Sequence, residues 1–476
     1  MSTLDDAGPV RRRVAKIGLV AVTSIVMGNM IGAGIFTIPN QIGKYGAWGI
    51  AAFCLTAMGA VILGLTFASL ARKVPKTGGP YAYTRAAFGD FAGYWLAWGY
   101  WIGLWTGQVA IACVFSNYVG VFIPIFRESM LWNGVLAFTV LWAVTGLNLR
   151  GTKTAGGVAI ITTIIRVLPL LAIATAGWFY FKPENYAATL PEGTSALGAL
   201  GAAATITMFS FLGLESGTVP AGGVKDPSKT IPRATIIGIL AVAALYIAST
   251  AVVLGVVPAE RLGEDGIAFA DAGRSMWGGA GYYAVAVAGV VSTLGALSGF
   301  TLLNGQVPMA AAVDRLFPKS FSLTNRHHAP WFGLIASGVL ISIFMLIGYG
   351  ALLAGKSDGN GGLQHISIVI ATVTTVLPYA FCAIAEIILI LNKREFPGKR
   401  IAKLCVIPAL AFAYSLYVIY GAGSLQIAIG FFLSVLGLPV YIIVHKRLMR
   451  AREEADGDRK RQAEAIQEST GPAPAD

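Results

Sequence analysis

Long apolar runs separated by short polar connections dominate the chain. Twelve of them read as membrane spans, at residues 17–40, 47–71, 90–122, 130–148, 155–180, 197–221, 232–257, 280–312, 331–348, 365–391, 403–421 and 424–445. A bilayer core of ~30 Å takes about 17 to 25 helical residues, which these runs supply. The pattern predicts an all-α polytopic membrane protein. Two runs break the apolar rule at their centres. The first holds Gly28-Asn29-Met30-Ile31-Gly32-Ala33-Gly34-Ile35-Phe36, rich in poor helix formers. The sixth holds Phe209-Ser210-Phe211-Leu212-Gly213-Leu214-Glu215-Ser216-Gly217. Unpaired backbone groups at membrane depth are tolerated only where protein or a watery cavity surrounds them. Each weak point therefore predicts an unwound segment that offers its backbone to a ligand, with close helix–helix contact through small residues as the competing reading.

Spans one and six would cross the membrane in opposite directions. Interrupted segments at corresponding positions of two inverted halves mark the binding site of secondary transporters. The expected architecture is a five-plus-five inverted-repeat core over 17–393, with repeats at about 17–180 and 197–391 and discontinuous helices 1 and 6. Helices 11 and 12 fill 394–445, between a short N-terminal tail (1–16) and a charged, disordered tail (446–476).

Composition supports this class. The 476 residues are 12% charged, with a mean hydropathy of +0.70, where a soluble domain has about 25% charge. The net charge of +12 would suit nucleic acid, but its placement argues otherwise. Arg11, Arg12, Arg13, Lys16, Arg72, Lys73, Lys76, Arg85, Arg150, Lys153, Lys225, Lys229, Arg233, Arg315, Lys319, Arg326 and the cluster from Lys393 to Lys403 fall on one side, with the tail. The other side holds Lys44, Arg127, Lys182, Arg261, Arg274 and Lys356. This asymmetry predicts a multi-pass inner-membrane protein with both termini in the cytoplasm, and no nucleic-acid partner. Cys54, Cys113, Cys382 and Cys405 lie in apolar runs and read as small hydrophobes. The histidines have no ligand spacing, and no nucleophile–base pair appears, so neither a metal, a cofactor nor an enzyme is expected.

The motifs resemble the amino acid–polyamine–organocation transporters, which share the inverted-repeat core of the leucine transporters. The resemblance rests on G-N-M-I-G-A-G-I-F (28–36), T-G-G-P-Y-A-Y (77–83), F-S-F-L-G-L-E-S (209–216), K-D-P-S-K-T-I-P-R-A (225–234) and G-Q-V-P-M-A-A-A-V-D-R-L-F-P (305–318), in the family's order. Y-W-I-G-L-W-T-G-Q (100–108), W-F-Y-F (178–181) and L-P-Y (377–379) are similar to the basic amino acid/polyamine antiporters of the arginine–agmatine type.

That resemblance implies where a substrate sits. Backbone N–H groups at Met30, Gly32, Ala33 and Gly34 would hold an α-carboxylate, and carbonyls at both breaks, including Phe209 and Leu212, an α-amino group. Half-helix ends suit both charges. Gly103, Leu104, Gln108, Phe209, Phe300 and Ala371 would line the side-chain end. The antiporters carry tryptophans matching Phe209 and Phe300, a serine matching Ala371 and an asparagine matching Gln108. Phenylalanine is a poorer cation–π partner than tryptophan, so this lining is more apolar, and helix packing is the competing role for both rings. Asn29, Tyr100, Arg166, Glu215, Phe300 and Tyr379 are implied in gating and coupling. Glu215 is either a proton carrier or a paired structural carboxylate. Arg166 would stand where a sodium ion sits in sodium-coupled relatives. It lies too far beyond Arg150 to reach the surface easily, and guanidinium keeps its proton. Glu386, seven residues before Lys393, is expected to reach the cytoplasmic surface.

The sequence thus leads to sodium-independent secondary transport of amino acids or polyamines by alternating access, as an antiporter exchanging cationic amino acids and amines. A proton-coupled permease for neutral amino acids is the alternative. The implied partners are the substrate, the bilayer, protons in the second reading, and a second copy, since relatives of this type form dimers.

Overall fold

A computed structural model describes residues 17–75, 78–151, 155–186, 190, 195–218, 223–258, 261–262, 267–354, 360–392, 398–446 and 449. The expected tails, apart from Lys446 and Met449, and Lys76, Lys153, Lys356, Lys393 and Arg394, lie outside them. Among the described residues every regular element is a helix, apart from an isolated parallel bridge between Ile17 and Val224.

The first apolar run forms α1 (Leu19–Met30) and α2 (Ala33–Ile42), parted at Ile31 and Gly32. There follow α3 (Ala47–Lys73), the short α4 (Pro80–Phe88), α5 (Asp90–Val119), α6 (Ile125–Glu128), α7 (Met130–Leu149), α8 (Ala155–Ala176) and α9 (Ala196–Phe209). The remainder comprises α10 (Pro227–Val256), α11 (Ala268–Val313), α12 (Trp331–Leu353), α13 (Asn360–Asn392), α14 (Gly398–Gly421) and α15 (Ser424–Val435). Ten helices among the described residues are long and apolar enough to cross a membrane. The fifth and sixth predicted spans correspond to shorter apolar stretches, Ile164–Tyr180 and Ala196–Phe209. The eighth span begins earlier than expected. Gly278 (φ 65°, ψ −152°) bends α11, so that Ala268–Trp277 forms a separate segment ahead of the run. Only glycine adopts that backbone without strain.

Helix α5 is buried along nearly all its length and α13 along most of it, whereas α12, α14 and α15 keep apolar faces outward. The central position of α5, packed on both α11 and α13, places Tyr100 to Gln108 among the interrupted helices. Small residues permit the approach. A Cβ on Gly103 would overlap Thr375 and stand 3.0 Å from Thr374 Oγ1.

At the face where α1 begins, Tyr81 of α4 donates to Asp314 Oδ2 at the end of α11 (2.8 Å). Arg85 pairs with Asp314 (2.6 Å) and with Asp90 (2.8 Å). Burial, and then the Asp314 carboxylate, push the Tyr81 phenol well above the usual tyrosine range, so it remains a donor. These half-exposed ion pairs contribute at most about 1 kcal/mol each. Glu386 corrects the sequence expectation: it is buried, and Lys73 Nζ and Ser69 Oγ reach in to its Oε1, each at 2.6 Å. An unpaired carboxylate at that depth costs several kcal/mol, and the lysine supplies the countercharge instead of the surface.

Candidate substrate site at two helix breaks

Breaking a helix orphans carbonyls, and the first break shows where they go. Ile31 (φ −75°, ψ 84°) and Gly32 (φ −134°, ψ −141°) leave the helical region. The Met27 carbonyl accepts from Ile31 N at 2.7 Å, and the Met30 carbonyl from Gly32 N at 2.8 Å. The Met30 carbonyl also accepts from Tyr246 Oη of α10 (2.7 Å). Arg166 Nη1 of α8 donates to the carbonyls of Gly28 and Ile31, and Ser292 Oγ of α11 to Ile31 (3.5 Å). Three neighbouring helices therefore satisfy the break from behind. Ala33 and Gly34 open α2, where N–H groups have no partner within their own helix.

The second break is tighter. Successive three-residue turns run through it, with Ser210 N donating to Thr207, Phe211 N to Met208, Leu212 N to Phe209 and Leu214 N to Phe211 (3.0–3.2 Å). Gly213 (φ 96°) then turns the chain. The two breaks face each other closely. A Cβ on Gly34 would stand 2.7 Å from Ser210 Cα, and one on Gly213 would stand 3.1 Å from Asn29 Cβ. Across Asn29, a Cβ on Gly299 would meet its Oδ1 at 2.5 Å. Asn29 is thus wedged between both breaks and α11. Contacts under 3.0 Å to backbone cannot be relieved cheaply, so Gly34→Ala should lower transport at least about tenfold through a forced separation of the breaks. Flux in vesicles measures this, with an unchanged gel-filtration profile as the control for folding.

The side-chain end assembles around Gly107 of α5. A Cβ there would stand 3.5 Å from Ala371 Cβ, 3.5 Å from Phe209 Cε2 and 3.7 Å from Phe300 Cε1. Three residues distant in sequence thus meet at one point, one from the end of α9, one from α11 and one from α13. Leu104, one turn before Gln108 on α5, is buried as well. The Gln108 amide turns to α11: Nε2 donates to Thr301 Oγ1 (2.6 Å) and the Leu297 carbonyl (3.1 Å), while Oε1 accepts from Asn304 Nδ2.

Beyond the second break, Glu215 is fully buried, with the hydroxyls of Tyr100 and Tyr379 donating to its two carboxylate oxygens. Phe67 braces Tyr379 edge-on, with ring centroids 5.1 Å apart. At the far end of α13, Gln364 donates to Thr37 Oγ1 and His365 Nδ1 lies 2.9 Å from Gln41 Oε1, both on α2. Helix α13 therefore touches α2 at one end, the Gly107 cluster in its middle and Glu215 near the other end.

Tyr246, Ser292, Asn304 and the Gln364–His365 pair were not singled out from sequence. Gly295 carried a readable signal, since a small residue on α11 is what lets the Arg166 guanidinium lie against that helix. An apolar cavity of about 390 Å³ between α7 and α12, lined by Met130, Gly134, Phe138, Met345 and Tyr349 among others, shares no residue with either break. Among the described residues no group of three histidines, cysteines or carboxylates could hold a metal ion.

An interrupted apolar helix facing the broken end of α9 inside a helical bundle is the kind of arrangement found in transporters. The chain matches the amino acid permease family over residues 17–444 and belongs to that family; it is a multi-pass membrane protein. It is 28% identical to the arginine/ornithine antiporter of Pseudomonas aeruginosa over 86% of each chain. It is 29% identical to the cadaverine/lysine antiporter of Escherichia coli, over 90% of this chain and 94% of that one. It is 28% identical to the putrescine transporter of Escherichia coli, over 91% and 97%.

Proposed function

We propose that this protein exchanges cationic amino acids, or a cationic amino acid and an amine, across the bacterial inner membrane by alternating access, without sodium. The observation that carries the reading is the meeting of both breaks with the Phe209–Phe300–Ala371 cluster at Gly107. In this reading it offers backbone to an amino acid's charged end and two aromatic rings to its side chain. Relatives named for arginine, ornithine, lysine, cadaverine and putrescine support a cationic cargo. The α-carboxylate then binds at Ala33 and Gly34, where α2 presents its positive end, while the Gly32 N–H is held by the Met30 carbonyl. The α-amino group takes carbonyls near Met30, Phe209 and Leu212. Cation–π attraction at desolvated rings contributes up to about 2 kcal/mol.

The Arg166 guanidinium, tied to two carbonyls at the first break, supplies a permanent charge there and supports sodium independence. Glu215, with Tyr100 and Tyr379 donating to both its oxygens, acts as a gate that α13 opens when it moves. Both termini lie in the cytoplasm, and of twelve spans the first ten form the five-plus-five core, with helices 11 and 12 outside it. The protein has no enzymatic activity and functions as a homodimer.

The substrate class is tested by competition in proteoliposomes. Unlabelled arginine, ornithine, lysine and putrescine should each suppress uptake of labelled arginine at concentrations where leucine and alanine do not. Suppression by leucine alone would assign the site to neutral amino acids.

A further inference from the structure

The antiport reading leaves one question of chemistry: what holds the distal ammonium of the cargo, when rings alone attract it weakly. The polar groups between α5 and α11 answer it by elimination. The Leu297 carbonyl can only accept, so the Gln108 group 3.1 Å away must be its NH2. Gln108 therefore points its carbonyl oxygen at Asn304, which must present its own NH2 in turn. Thr301 closes the arrangement, accepting from Gln108 Nε2 at 2.6 Å and donating to Leu297 at 2.7 Å. The orientation of each amide follows from the backbone acceptor at the head of the chain.

The consequence falls on Asn304. It is 1% exposed, and its Oδ1 is a buried acceptor with no partner. A buried polar group left unpaired costs about 1–3 kcal/mol, so such a group in a binding region implies a ligand that pairs it. Because the relay holds its NH2 toward Gln108, the unpaired atom of Asn304 is its acceptor oxygen, which selects a donor and favours a cation. Its position is suitable. Asn304 lies one turn past Phe300, about 6 Å along α11, and Gln108 is the chain neighbour of Gly107, where both rings meet. Along α11, Ser292, Ala296 and Gly299 abut the first break, Phe300 the rings, and Asn304 the relay. A substrate anchored at the break and lying between the rings directs its far end toward Asn304.

We infer that Asn304, held in one amide orientation by the Gln108–Leu297 relay, is the specificity-determining acceptor for the distal ammonium of a diamine or basic amino acid. The inference rests on the antiport reading and narrows it to the side-chain end of the same site. It adds a selective element that Ala371 and the two phenylalanines, being apolar, do not supply.

Ornithine and norvaline share a carbon skeleton and differ by the terminal ammonium, so their ratio of affinities isolates this contact. In proteoliposomes, Asn304→Ala should weaken ornithine at least about tenfold, as expected for a hydrogen bond to a charged group, and leave norvaline within about twofold. Asn304→Asp should raise the ornithine preference above wild type, and Gln108→Leu should lower it by releasing the amide. Norvaline is read as a competitor at high concentration, and an unchanged gel-filtration profile of each variant controls for folding. Equal losses for both substrates in Asn304→Ala, or no change in the ratio for Asn304→Asp, overturn the inference while antiport by the wild type stands. A wild type that carries norvaline and not ornithine overturns the antiport reading and this inference together.

Discussion

Arg166→Ala should reduce exchange about a hundredfold or more and lower thermal stability, with Arg166→Lys recovering part of each. The side chain is buried, and its Nη1 donates to the Gly28 and Ile31 carbonyls, two of the groups that the first break orphans. Leaving buried carbonyls unpaired costs about 1–3 kcal/mol apiece, and each 1.4 kcal/mol is tenfold in a rate or equilibrium. The relaxed outcome, a regular helix through Ile31 and Gly32, would remove the free N–H groups at the start of α2. Lysine keeps the charge but not the planar fork of donors, so it should restore stability better than transport. Flux and melting temperature measured together check the account. A variant with wild-type flux would show that the break holds without its guanidinium.

Glu215→Ala should lose about as much transport as Arg166→Ala, while Glu215→Gln should retain measurable exchange. Tyr100 and Tyr379 donate to separate oxygens of the carboxylate. Hydrogen bonds to a charged acceptor are worth about 1.5–3 kcal/mol each, and alanine removes both. Glutamine keeps one carbonyl oxygen, so one tyrosine retains its acceptor and the other faces an NH2. A gate weakened in this way opens too readily and couples the two faces poorly, giving leak as well as slow exchange. The leak is read as efflux of preloaded label into substrate-free buffer. Normal exchange by Glu215→Gln, with loss only of proton-driven accumulation, would make Glu215 a proton carrier.

Both backbone breaks were legible in the sequence, for identifiable reasons. Glycines and an asparagine in the first apolar run, and Glu215 beside Gly213 in the sixth, are costly at membrane depth, so each marked an irregular stretch of backbone. Arg166 stood out for the same reason, although its carbonyl partners did not. Tyr246 was invisible because a tyrosine in an apolar helix has no pattern of its own; only tertiary packing shows that it reaches Met30. Asn304 falls just ahead of the motif that begins at Gly305, and its role depends on the orientation of Gln108 across another helix. Glu386 was misjudged because its distance to the surface was counted along its own helix, whereas its partner Lys73 comes from α3. The bend at Gly278 was hidden because glycine is common throughout the chain.

The most direct test of the central claim uses purified protein in liposomes that are empty or loaded with ornithine, with labelled arginine outside and an inward proton gradient present or absent. Antiport predicts uptake only into loaded vesicles, at the same rate with or without the gradient or sodium. Uptake into empty vesicles that rises with the gradient would contradict it and identify a proton-driven permease.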